Sequence, residues 1–146
     1  MKTIIKTIFS DYNEETGVST VKIATDCGLF EGKAYLHPED KEEGLASNYA
    51  GCRYAELRAV IKYATRKKSL LASELNALTR VQNELESTKD YSPKSTAARI
   101  LQRNIYLVTE DITKCAENIK SLKKRLRDTI QTRENVIEKI VKTKQD

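Results

Sequence analysis

The sequence contains no tryptophan, one histidine, two prolines, five glycines and two phenylalanines. With no tryptophan and little glycine or proline, and with hydrophobic residues at 39% and charged residues at 32%, a thick globular core is not expected, and long exposed helices fit better. Apolar runs are short. None approaches the ~20 residues a membrane helix requires. One histidine and three widely spaced cysteines (Cys27, Cys52 and Cys115) provide no metal-ligand spacing and no disulfide pattern, so neither a metal nor any other cofactor is expected. With no apolar leader at the N-terminus, a cytoplasmic protein is the expectation. At 146 residues the chain has room for one domain, or for one domain with an extended appendage.

Charge is unevenly divided. Residues 1–46 hold five lysines, no arginine and nine acids, a net of −4, whereas residues 47–146 hold 21 bases and 12 acids, a net of +9. Every arginine therefore lies in the second part. That excess suits an anionic partner, or equally a set of solvated helix faces.

Residues 3–9, 18–25 and 29–36 are enriched in β-branched and aromatic types and read as three strands. A polar turn over residues 11–17, ending in Gly17, and a tight turn at Asp26-Cys27-Gly28 separate them. Val21 and Ile23 share one face of the second strand, and Phe30, Gly32, Ala34 and Leu36 share one face of the third. A three-stranded antiparallel meander with one apolar face is too small to stand alone, so another element must cover it. Residues 37–46 form an acidic connector opened by His37-Pro38.

From Tyr49 to about Lys89 the pattern is helical, with Ser47 or Asn48 as N-cap. Leu57, Ala64, Leu71, Leu78 and Leu85 recur every seventh residue, Ile61 and Leu75 interleave with them, and Lys68 and Gln82 interrupt the pattern. A break follows at residues 87–93, where Pro93 suits the first turn of a second helix. That helix carries Leu101, Ile105, Val108, Ile112, Cys115, Ile119, Leu122 and Leu126 at alternating spacings of four and three. Thr129 and Arg133 interrupt the frame before Val136 and Ile140. The predicted fold is α+β: a β-meander with its connector (1–46), then a long, coiled-coil-like antiparallel hairpin of two helices (47–146). Apolar residues of the second helix off this stripe (Ile100, Leu107, Ile130, Ile137 and Val141) call for the sheet or a second copy of the chain, so a homo-oligomer is expected.

No catalytic constellation is present. His37 sits beside a proline in a connector, the acidic pairs lie in solvated runs, and Gly28, Gly32, Gly44 and Gly51 match no phosphate-loop pattern. The protein is not expected to be an enzyme. Three basic groups remain. In Ser47–Arg58, small residues at Ala50, Gly51 and Cys52 are framed by Arg53, Tyr54 and Arg58 near a helix N-terminus. This suits an anionic nucleotide, and it suits close packing of the helix on the sheet as well. Arg99 and Arg103, four apart, can clamp one phosphate or serve as surface charge, with Asn104 nearby. Lys120, Lys123, Lys124, Arg125 and Arg127, with Arg66, Lys67 and Lys68, make a basic band. No aromatics interleave with that band, so nucleic-acid binding is not expected.

The run Tyr49-Ala50-Gly51-Cys52-Arg53-Tyr54-Ala55-Glu56-Leu57-Arg58, preceded by Tyr35-Leu36-His37-Pro38-Glu39-Asp40, resembles the anti-Thoeris sponge family, small phage proteins of Gram-positive hosts. The resemblance implies an N-terminal antiparallel sheet with C-terminal helices, self-association, and sequestration of a cyclic ADP-ribose signal without cleavage. It also implies phosphate-gripping arginines: Arg53 or Arg58 near the start of the first helix, and Arg99 with Arg103 later. Tyr54, Tyr63 or Tyr91 would provide the stacking ring. The alternative function is a coiled-coil interaction module that inhibits or scaffolds a host or phage protein.

Overall fold

A computed structural model describes the backbone of residues 5–35 and 48–145, and the side chains of residues 5–35 and 51–129. Leu36, the acidic connector with His37 and Pro38, and the N-cap candidate Ser47 lie outside the described residues. So do the side chains of Asn48, Ile130, Arg133, Val136, Ile137, Ile140 and Val141. The architecture is α+β. Strands β1 (Ile5–Asn13), β2 (Val18–Thr25) and β3 (Gly28–Tyr35) precede two helices, α1 (Asn48–Glu86) and α2 (Thr96–Gln145). The strands form one antiparallel sheet in the order β1-β2-β3.

β1 extends through Asp11, Tyr12 and Asn13, which the sequence pattern assigns to a turn. The reversal is instead confined to residues 14–17. There the Asn13 side chain accepts the N–H groups of Glu15 and Thr16, and Gly17, at φ 70°, donates to the Asn13 carbonyl at 2.7 Å. The polar side chain thus closes the turn from the strand's last position. The second turn forms as expected at Asp26-Cys27. Gly28 takes φ 116°, and the Thr25 hydroxyl donates to the Gly28 carbonyl at 2.8 Å.

One sheet face is covered as the alternation predicts, with Ser19, Val21 and Ile23 of β2 and Ala34 of β3 buried. The cover is the first half of α1. Tyr54, Ala55, Ala59 and Tyr63 complete a core with Val21, Ile23 and Ala34, and Phe30, Cys52, Val60 and Leu126 pack around it. The Phe30 and Tyr63 rings lie 5.9 Å apart at 46°, a tilted aromatic pair. The Tyr63 hydroxyl donates to the Asp26 carboxylate, tying the helix to the β2–β3 turn.

Small residues permit this packing. A β-carbon on Gly32 would overlap the carbonyl oxygen of Ala55 and stand 2.7 Å from the backbone nitrogen of Ala59. One on Gly51 would overlap the Ser19 hydroxyl. Of the two readings open for the small-residue run, contact with the sheet accounts for Gly51.

α1 ends where the hydroxyls of Ser87 and Thr88 donate to the carbonyls of Glu84 and Leu85. α2 begins later than Pro93 suggests: that residue lies in a turn, and Ser95 caps the helix by accepting the Ala98 N–H on its hydroxyl. On α2, Leu101, Val108, Cys115 and Leu122 are buried and Ile105, Ile112, Ile119 and Leu126 half-buried, the stripe that the spacing predicts. On α1, Ala64 is buried and Leu71, Leu75, Leu78, Gln82 and Leu85 are half-buried. Lys67 is buried where the heptad frame puts Lys68, which is exposed. The chain divides into two compact units. One holds the sheet, α1 up to Tyr63 and α2 from Ile119, and the other runs from Ala64 to Asn118. Among the described residues no helix is long and apolar enough to cross a membrane.

Candidate functional site: a basic cleft beside β3

In the unit that holds the sheet, an open cleft of about 690 Å³ is lined by Glu31, Lys33 and Tyr35 of β3, Arg58, Ile61 and Lys62 of α1, and Lys123 and Leu126 of α2. Strand alternation explains the first set. Gly32 and Ala34 face inward beneath α1, so Lys33 and Tyr35 between and beyond them face away, and both are exposed. Helix periodicity explains the second. Arg58 and Lys62 are four apart and share a face, whereas Ala55, Ala59 and Tyr63 form the adjoining buried face.

Arg58 and Lys62 reach the outer edge of β3. The Arg58 guanidinium donates to the Lys33 carbonyl at 2.7 Å, and the Lys62 ammonium donates to the Glu31 carbonyl at 2.8 Å. The fit is one of pitch. Residues four apart on a helix rise about 6 Å, and carbonyls two apart on a strand are separated by about 6.8 Å. The pair therefore clips two outward carbonyls of an edge strand, one way in which proteins keep such an edge from pairing further. Lys33 forms an ion pair with Glu31 at 3.4 Å. The cleft is thus lined by four cations and one carboxylate. Arg58 and Lys62 keep further N–H groups beyond those that the two carbonyls engage, since a guanidinium carries five and an ammonium three.

The residues expected to bind a ligand are distributed as follows. Arg58 lines the cleft. Tyr54 is buried in the core, and Arg53 is exposed on α1 and is not among the lining residues. Arg99 and Arg103 are exposed on α2 in the other compact unit. Of the alternative rings, Tyr63 is buried, and Tyr91 is half-buried in the connection between the helices. Lys33 and Lys62 were not singled out from the sequence, and Tyr35 stood there only in the run that carries the resemblance, with no ligand role. The signal was available in the outward parity of 33 and 35 opposite Gly32 and Ala34, and in the spacing of Lys62 from Arg58. Lys123 belongs to the basic band noted above.

A second hollow, of about 310 Å³, lies along α2 between Tyr106, Thr109, Glu110, Thr113, Lys114 and Glu117. The Tyr106 hydroxyl donates to Glu110 at 2.7 Å, and this bond with the carboxylate's negative charge holds the phenol pKa above its ordinary value. Among the described residues no group of three His, Cys, Asp or Glu side chains is placed to hold a metal ion. Cys27, Cys52 and Cys115 form no disulfide among the described residues.

Fold and cleft together define an α+β protein with an open, cation-lined groove at the edge of a small antiparallel sheet. Comparison with protein-family models, with curated proteins and with solved structures finds no match for this chain.

Proposed function

We propose that the protein binds and sequesters a small anionic nucleotide, of the cyclic ADP-ribose type, in the cleft beside β3 and releases it unchanged. The observation that carries this reading is the composition of that cleft. Lys33, Arg58, Lys62 and Lys123 provide positive charge for phosphates, Tyr35 offers a ring face, and Ile61 and Leu126 give apolar floor. Among the described residues that line the cleft, none is a nucleophile paired with a base, so the reading is one of affinity without turnover. Isothermal titration with cyclic ADP-ribose isomers tests it. Micromolar binding is expected, with recovery of intact ligand and a loss of at least tenfold in Arg58→Ala and Lys123→Glu. Folded protein that gives no heat at micromolar ligand would overturn it.

A second reading, an interaction module, is favoured by one separate observation. Ile100, Tyr106 and Leu107 of α2 are exposed, at 56%, 61% and 44%. Such side chains suit a protein surface better than water. That reading expects a stoichiometric complex from host lysate that Leu107→Glu abolishes and Arg58→Ala leaves intact; a complex insensitive to Leu107→Glu would sink it.

A further inference from the structure

The two edges of the sheet differ. The β3 edge is clipped by Arg58 and Lys62. At the other edge, β1 is exposed along almost its whole length, with Ile5 at 40%, Ile8 at 50% and Phe9 at 45%. Among the described residues no further strand lies beyond it.

Strand alternation identifies the backbone groups that β1 turns outward. The carbonyls of Glu31 and Lys33 point away from β2, so Phe30, Gly32 and Ala34 point toward it, opposite Ile23, Val21 and Ser19. The β2 residues between these, Thr20, Lys22 and Ala24, therefore turn toward β1, where they meet Asp11, Phe9 and Lys6. The outward backbone groups of β1 are then those of Ile5, Thr7, Ser10 and Tyr12.

A bulge makes this set symmetric. Thr7 pairs with Ile23 and Phe9 with Lys22, which leaves Ile8 as the extra residue. The Lys22 ammonium stands 5.3 Å from the Phe9 ring centre, as expected of side chains on one face. In an unbroken strand, residues 7 and 10 would differ both in side-chain face and in backbone direction. With the bulge they agree, and so do residues 6 and 11 and residues 5 and 12. Two strands related by a two-fold axis can pair only if each residue agrees in this way with its mate. An axis between Ile8 and Phe9 satisfies that condition. It sets Ile5 opposite the partner's Tyr12 and Thr7 opposite the partner's Ser10, both with backbone groups facing each other. Between them, Lys6 falls opposite the partner's Asp11, in the non-hydrogen-bonded position where side chains stand closest. Lys6 and Asp11 are the only charged residues of β1, both are exposed, and they carry opposite signs.

We infer that β1 pairs antiparallel with β1 of a second copy, giving a continuous six-stranded sheet with Ile8 and Phe9 gathered at the axis. The inference goes beyond the cleft reading and does not depend on it. It is tested by sedimentation of the full chain at micromolar concentration. The wild type is expected to be dimeric. Lys6→Glu and Asp11→Lys, each placing like charges opposite one another twice per dimer, are each expected to raise the dissociation constant roughly tenfold. The double exchange Lys6→Glu/Asp11→Lys should restore it, which an effect on folding alone would not do. A monomeric wild type, or a dimer indifferent to both reversals, overturns the proposal, as do single losses that the exchange fails to rescue.

Discussion

The carbonyl oxygen of Ala55 occupies the space that a β-carbon on Gly32 would need. Helix α1 therefore rests on β3 backbone to backbone, and the closeness of that approach lets Arg58 and Lys62 reach over the strand to its outer carbonyls.

Gly32→Ala should be among the most damaging single changes to the unit. Helix backbone cannot retreat as a flexible side chain can, so a loss of about 2–4 kcal/mol in urea unfolding is expected. Gly51→Ala meets the side chain of Ser19 instead. Helix propensity returns roughly 1 kcal/mol at that position, so its net effect should be smaller, and Ser19→Ala made alongside it should recover part of the loss.

Removing the clip exposes the β3 edge. Arg58→Ala/Lys62→Ala should lower stability by only about 1–2 kcal/mol, because two exposed hydrogen bonds are lost and water replaces them. The larger effect should be association: light scattering at high concentration is expected to rise relative to wild type. Unchanged scattering would show that the two side chains do not protect the edge.

On α2, neighbouring positions should respond very differently. Val108 is buried on the predicted stripe and Leu107 is exposed beside it. Val108→Ala is expected to destabilise by about 1–3 kcal/mol, and Leu107→Ala by less than about 0.5 kcal/mol. Equal losses at both would contradict the assignment of the covered face.

Tyr106 provides a pH signature. Its hydroxyl bond to the Glu110 carboxylate and the carboxylate's charge raise its pKa above that of a free tyrosine. The sign follows from linkage. The contribution to stability is fully present below the unfolded-state pKa and is lost as pH rises through the higher folded value. Spectrophotometric titration near 295 nm, taken as the difference between wild type and Tyr106→Phe, should show the phenol ionising later than a free tyrosine. Glu110→Gln should move that ionisation back down.

Periodicity by itself determined much of this protein. The period of two along β2 and β3 identified the buried face, and the three-four spacing from Leu101 to Leu126 identified the covered stripe of α2, because burial follows side-chain direction and direction is set by local geometry. Glycine marked both reversals, since Gly17 and Gly28 take positive φ where other residues would be strained. Tertiary structure decided what each small or basic residue meets. Gly51 could have admitted a ligand or a neighbouring backbone, and the approach of α1 to Ser19 gave it to the sheet. Tyr54 and Arg58 lie four apart near the start of one helix, yet one entered the core and the other reached a strand edge. The bulge at Ile8 also left no mark in composition. Such outcomes depend on the distance between elements remote in sequence, which no local pattern encodes. The same is true of the basic cleft, whose lysines and arginine come from β3, α1 and α2 and meet only when those elements pack.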